Sequence, residues 1–216
     1  MNLKFWKKPQ APVISLDTDY HSHILPGVDD GVATMEDTLN ILADYEQLGI
    51  RNVWFTPHVM EDCPNTTEGL KARFAEVLDT YKGPVKLNLA AEYMMDNLFH
   101  KRLAEKDLLP IGNCLLVETS YFNPPAELGQ ILKAIKSKGY FPILAHPERY
   151  IYMEKDDYEA LKDEDIRFQM NMGSIKGYYG HHTQAKAMWL YKKGYYDYFG
   201  SDLHRRTMIS LLKDEK

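Results

Sequence analysis

The sequence predicts an α/β domain in which parallel strands are joined by helical crossovers. Short β-rich runs alternate with longer helical patterns along the whole chain, and each helical pattern carries its own start and stop signals. At 216 residues, with 44% apolar and 26% charged side chains, the chain is long enough for one buried core and has the composition of an ordinary globular protein. A single domain is expected over 19–216, preceded by a basic tail over 1–18 with Lys4, Lys7 and Lys8 around Phe5 and Trp6.

Seven strands are expected. They run over Thr18 to His23, Asn52 to Pro57, Val85 to Glu92, Cys114 to Thr119, Phe141 to His146, Phe168 to Asn171 and Tyr198 to Asp202. Between the first two, Thr34 reads as an N-cap followed by Glu36 and Asp37, then Leu39, Leu42, Ala43 and Tyr45 at helical spacing, then Gly49 as the stop. Thr67 and Glu68 open a second helix with Leu70, Phe74, Val77 and Leu78 inward, ended by Gly83 and Pro84. Pro125 and Glu127 open a third, with Leu128, Ile131, Leu132 and Ile135 inward and Gly139 beyond its end.

Composition excludes several function classes. Thirty-one acids against 26 bases give a formal charge of -5, which disfavours a nucleic-acid reader. No apolar run approaches the roughly 18 residues needed to cross a bilayer, and no signal peptide is evident, so a cytoplasmic protein without a membrane span is expected. Cys63 and Cys114 form no CxxC, and neither is followed six positions later by arginine, since Gly69 and Ser120 stand there. A cysteine-based phosphatase is therefore excluded. There is no Gly-Lys pair for a P-loop, and Gly173-Ser174-Ile175-Lys176-Gly177 lacks nucleophile-elbow spacing.

The chemistry-bearing residues gather at the carboxyl ends of the expected strands. His21 and His23 end the first, His58 follows the second, Glu92 ends the third, Glu118 the fourth and His146 the fifth, with Asp202 and His204 at the last. In a closed or nearly closed barrel those ends converge on one face. Residues two apart on a strand share a side, so His21 and His23 can face one metal, and Asp202 with His204 repeats that geometry. Imidazoles and carboxylates without thiolate suit catalytic zinc, manganese or iron. Asp29 and Asp30 add acids on the loop after the first strand, one of them as a ligand. His100, His181 and His182 read as ordinary surface or core histidines. Most of the 15 tyrosines, Tyr178, Tyr179, Tyr191, Tyr195, Tyr196 and Tyr198 among them, read as packing.

The segments Tyr20 to Gly31 (with HSHILPGVDDG), Thr56-Pro57-His58, Ala91-Glu92, Val117-Glu118, His146-Pro147-Glu148-Arg149-Tyr150 and Ser201-Asp202-Leu203-His204 together resemble the motifs of the polymerase and histidinol phosphatase (PHP) superfamily. More narrowly they resemble its bacterial metal-dependent protein-tyrosine phosphatases of capsule and exopolysaccharide synthesis. The likeness spans Asp19 to His204. It implies a distorted seven-stranded (β/α)7 TIM-like barrel, the PHP fold, holding three divalent ions, usually manganese, with iron or zinc as alternatives. By motif, His21, His23, Glu92 and Asp202 hold one ion, Glu92, Glu118 and His146 a second, and Asp30, His58 and His204 the third. The implied substrate is a phosphotyrosine protein, a bacterial tyrosine kinase in particular.

A phosphate monoester repels an incoming hydroxide, so a useful site supplies positive charge and a ready nucleophile together, and clustered cations do both. Arg149 is expected to neutralise the non-bridging oxygens. Arg206, of the Arg205-Arg206 pair, is assigned to the substrate and His204 to assisting the leaving group. Tyr121 and Phe122, just past Glu118, either flank the substrate ring or pack at the rim. Competing readings are a histidinol-phosphate or small-molecule phosphoesterase, an amidohydrolase-type hydrolase, and a metal-binding scaffold for a tyrosine kinase.

Overall fold

The computed structural model describes residue 14 and residues 16–213; most of the basic tail expected over 1–18 lies outside the described residues. The element order is β1 (Thr18–Ser22), α1 (Met35–Leu48), β2 (Asn52–Phe55), β3 (His58–Val59), α2 (Thr67–Thr80), β4 (Lys86–Leu89), β5 (Glu92–Met94), α3 (Asn97–Glu105), β6 (Cys114–Glu118), α4 (Leu128–Ser137), β7 (Phe141–Ala145), α5 (Lys155–Asp163), β8 (Arg167–Asn171), α6 (Met172–Ile175), α7 (His181–Lys193) and β9 (Tyr198–Gly200). One sheet has the order β1-β2-β4 and the other β3-β5-β6-β7-β8-β9. All the pairings between named strands are parallel. The result is a mixed α/β fold built on a curled parallel sheet.

Where seven strands are expected from the sequence, the structure shows nine strand segments in two sheets. The reason is local. The run Asn52 to Pro57 ends early, and the chain resumes pairing as β3 only at His58, beside Glu92. The run Val85 to Glu92 breaks at Ala90 and Ala91, so that β4 pairs with β2 while β5 pairs with β3 and β6. The breaks make His58, expected just after a strand, and Glu92, expected at a strand's end, the first residues of new segments.

The first and last strands meet through a seam. The His23 amide donates to Leu203 O at 3.0 Å and the Asp202 amide to His21 O at 2.8 Å. Buried Asp19 crosses the same seam: its Oδ1 accepts the Ser201 amide at 2.8 Å and its Oδ2 accepts the Tyr45 hydroxyl at 2.6 Å. Gly200 is required here, because a Cβ would run into the His21 Cβ.

Helix starts follow the sequence signals. Thr34 caps α1 by accepting the Asp37 amide, and Gly49 closes it at φ 79°. Its buried face is Thr38, Ile41, Leu42 and Tyr45, one step round from the expected one, since Ala43 is exposed. In α2, Leu70 and Val77 are buried while Leu78 is 46% exposed. α4 buries Ile131, Leu132 and Ile135 as expected. Among the described residues no helix is long and apolar enough to cross a membrane.

Candidate metal centre

His21 and His23 stand two apart at the end of β1, and their Nε2 atoms are 3.0 Å from each other. Each ring is oriented from behind. His21 Nδ1 lies 2.8 Å from Gln169 Oε1, on β8, and His23 Nδ1 lies 2.9 Å from Asp29 Oδ2. Both oxygens are acceptors, so each Nδ1 carries the hydrogen and each neutral ring turns the Nε2 lone pair toward the other. Two facing lone pairs at that distance repel unless a proton or a cation lies between them.

Carboxylates complete the cluster. Glu92 Oε2 is 3.1 Å from His21 Nε2 and 3.2 Å from His23 Nε2, and Asp202 Oδ1 is 3.5 and 3.4 Å from the same atoms. The other Glu92 oxygen, Oε1, is 3.0 Å from His146 Nε2, and Glu118 Oε2 is 3.9 Å from that nitrogen. His58 Nδ1 sits 3.2 Å from both Glu92 Oε2 and Glu118 Oε1. Its Nε2 is 3.6 Å from Asp30 Oδ1, which is 3.4 Å from His204 Nε2. Ligand atoms about 2.1 Å from a cation stand about 3.0–3.5 Å apart in octahedral or tetrahedral arrangement, the range of most of these separations.

Among the described residues, three groups bring ligand atoms close enough to hold an ion: His21, His23 and Glu92; His58, Glu92 and Glu118; and His23, Asp30, His58 and His204. His100, His181 and His182 stand in none of them. His58 thus stands between two groups rather than with Asp30 and His204 alone. Among the described residues the buried Nδ1 atoms of His58 and His146 make no hydrogen bond of good geometry, His58 Nδ1 in spite of the two carboxylate oxygens 3.2 Å away, an unusual expense for a buried polar atom unless another ligand is meant to satisfy it. The donor set therefore fits divalent ions.

Electrostatics agree. Burial would lower the His21 pKa, but the charges of Glu92 and Asp202 outweigh it and hold the imidazole up to about 9. Burial would raise Glu92, yet the surrounding histidines keep it well below the usual carboxylate range. The cluster is thus a trap for positive charge, which protons fill when nothing else does. His204 behaves oppositely: burial and the neighbouring His23 push it down to about 4.

Of the adjacent acids, Asp30 reaches the ligand groups. Asp29 instead accepts from His23 Nδ1, from the His58 amide at 3.0 Å and from the Gly31 amide at 3.0 Å. Gly31 permits this turn, since a Cβ there would collide with His23 O.

A cavity of about 360 Å³ opens above the centre, lined by Asp30, His58, Glu92, His146, Asp202 and His204 together with Tyr121, Arg149, Tyr178, Tyr179, Arg205 and Met208. Arg149 Nη1 donates to Asp202 Oδ2 at 2.7 Å. Two expectations are corrected. Arg206 pairs with Asp44 of α1 at 2.7 Å, leaving Arg205 to line the cavity. Phe122 is 67% exposed and does not line it, whereas Tyr121 does. Gln169 is not singled out by the sequence, Tyr179 reads there only as packing, and Asp29 stands beside Asp30 only as a possible ligand and not as a brace. Only Asp29 carried a signal, its place beside Asp30.

Residues 17–209 match the family described as capsular polysaccharide synthesis, CpsB/CapC. The chain is 25% identical over 194 residues to the tyrosine-protein phosphatase YwqE of Bacillus subtilis, covering 86% of this chain and 76% of that one. It is 28% identical over 147 residues to the tyrosine-protein phosphatase CpsB of Streptococcus pneumoniae, covering 64% and 60% respectively. Among solved structures it resembles one from a study of YwqE from Bacillus subtilis and CpsB from Streptococcus pneumoniae, described as metal-dependent tyrosine phosphatases, with a TM-score of 0.80 at 24% identity over 89% of this chain and 81% of that one. A lactonase from Listeria monocytogenes, at a TM-score of 0.57 and 12% identity over 91% and 81%, shares the fold. With its motifs, its sheet and residues 17–209 all in agreement, the chain belongs to the CpsB/CapC family of capsular polysaccharide synthesis.

Proposed function

We propose that this protein is a metal-dependent tyrosine-protein phosphatase whose substrate is a phosphotyrosine protein of capsule or exopolysaccharide synthesis, a bacterial tyrosine kinase in particular. The domain over 19–216 acts as one catalytic unit in the cytoplasm, its nine segments forming one distorted barrel of seven bent strands. The carrying observation is the gathering of His21, His23, Asp30, His58, Glu92, Glu118, His146, Asp202 and His204 beneath a cavity edged by Arg149. Three divalent ions, manganese by preference, fit that donor set, and when bound they supply positive charge for the phosphoryl oxygens and a nucleophile at neutral pH.

Glu92 is central because its two oxygens face different histidines, so one carboxylate links neighbouring ligand groups. Arg149, kept charged by Asp202 in spite of its burial, presents its remaining N–H groups to the non-bridging oxygens. The leaving phenol has a pKa of about 10, so it departs with little protonation. His204, beside Asp30, serves as a ligand of the third ion and stands at the cavity where it can also assist the leaving group.

The test is turnover of a phosphotyrosine peptide beside histidinol phosphate, before and after chelation and manganese addition. Manganese-dependent release of phosphate from the peptide alone supports the reading; faster turnover of histidinol phosphate moves the protein to the small-molecule esterases. His146→Ala should abolish turnover. Cys63→Ser with Cys114→Ser should retain it, and loss in that double variant alone would overturn the mechanism.

A further inference from the structure

Arg149 is gripped between two aromatic faces. Its guanidinium carbon lies 4.3 Å from the Tyr121 ring centroid and 4.2 Å from that of Tyr179. Two ring faces this close to the guanidinium carbon restrict the rotamers open to the arginine, and with them the directions of its N–H groups. Asp202 Oδ2 accepts one of them at 2.7 Å.

The Tyr179 jaw is itself braced. Its hydroxyl lies 3.2 Å from Asn171 Nδ2, and the same amide nitrogen donates to Asp202 Oδ2 at 2.6 Å. The Asn171 amide group is fixed in turn, because its Oδ1 accepts the Gly173 amide at 2.8 Å. Asn171, at the end of β8, therefore supports both partners of Arg149: the carboxylate it donates to and the ring it lies over. Asp202 is left with Oδ1 toward His21 and His23.

We propose that Tyr179 is a positioning residue, which with Tyr121 holds the Arg149 guanidinium aimed at a phosphoryl group in the cavity. This rests on the phosphatase reading only in what the phosphoryl group is attached to. An unclamped arginine has many rotamers and must lose that freedom on each binding event, whereas the clamped one has lost it already. A tyrosine that merely packed would affect stability without affecting phosphate affinity through Arg149.

The experiment uses the manganese-loaded protein and inorganic phosphate, with affinity measured by calorimetry, alongside KM and kcat on a phosphotyrosine peptide. Tyr179→Leu should weaken phosphate about tenfold and raise KM by a similar factor, with a smaller change in kcat. Tyr179→Phe, which keeps the ring, should recover most of that loss. In an Arg149→Ala background, Tyr179→Leu should have little further effect. Equal weakening with and without Arg149, or a phenylalanine variant as poor as leucine, overturns the proposal. If Tyr179→Leu fails to fold, the same cycle is run with Tyr121→Leu, the opposite jaw, and absence of coupling to Arg149 is equally decisive. If phosphate binding follows the expected pattern while no phosphotyrosine peptide is hydrolysed, the substrate assignment falls and the clamp stands.

Discussion

Asp29 Oδ2 accepts the Nδ1 hydrogen of His23 at 2.9 Å and also the backbone amide of His58 at 3.0 Å. One carboxylate thus orients a ring just past the end of β1 and fixes the start of β3, two segments that both contribute ligands. Asp30, one residue on, faces His58 and His204 instead. The turn divides the labour of two adjacent acids, one inward as a brace and one toward the cavity.

Removing the brace should therefore cost metal affinity rather than fold. Outer partners of ligating histidines are commonly worth about 10–100-fold in affinity, so Asp29→Ala should weaken manganese binding by roughly that factor in a competition titration. An unchanged affinity would show that His23 is oriented without Asp29.

Metal uptake should also be pH-dependent, with a defined sign. In the metal-free protein His21 is held up to about 9 by Glu92 and Asp202 against the effect of burial, so it is protonated at neutral pH. A cation must displace that proton. Apparent affinity should rise with pH toward about 9, and calorimetry at neutral pH in buffers of different ionisation enthalpy should detect proton release. Binding without proton release would mean that His21 is neutral beforehand.

Much of this centre was legible because its residues carry their chemistry in their identity. His21, His23, Glu118, His146 and Asp202 stand where strand patterns end, and alternation alone puts the first two on one side. The braces were not legible, since they depend on contacts made only after closure: Gln169 lies 148 positions from His21. Tyr179 reads as one tyrosine among many, and only the position of Arg149 between two rings gives it a task. The split of two strands was hidden for a related reason. Ala90 and Ala91 suit a continuous apolar run, and the bend shows only when β4 and β5 find different neighbours.

The seam makes a stability prediction. Burial raises the Asp19 carboxyl pKa, although Ser201, Tyr45 and His21 all donate to it and partly offset the effect. A carboxyl raised in the folded state binds its proton more tightly there than in the unfolded chain. Its favourable contribution is therefore present below the unfolded value of 3.8 and is lost as pH rises through the folded value. Asp19→Asn lacks this titration, so its stability relative to the parent should improve across that window in urea unfolding at a series of pH values. Tyr45→Phe removes a donor from the buried carboxyl and should cost about 1–3 kcal/mol. A relative stability of Asp19→Asn that falls with rising pH would contradict this account.

Backbone strain sits at the site itself. His146 and Asp202 both hold positive φ, at 34° and 51°, a region that costs a residue bearing a Cβ about 1–2 kcal/mol. The strand ladders of β7 and β9 end just before them, and the turn aims His146 at Glu92 and Asp202 at the β1 histidines. Glycine at either position relieves the strain while deleting the ligand; alanine deletes the ligand and keeps the strain. His146→Gly should therefore be more stable than His146→Ala in the metal-free protein by about 1 kcal/mol, read from urea unfolding midpoints at matched slopes. Both should lose manganese binding at the Glu92 and Glu118 group. The extra backbone freedom of glycine in the unfolded chain works against this ordering by about 0.5–1 kcal/mol, so an alanine variant clearly more stable than glycine would show that the turn is not strained at His146.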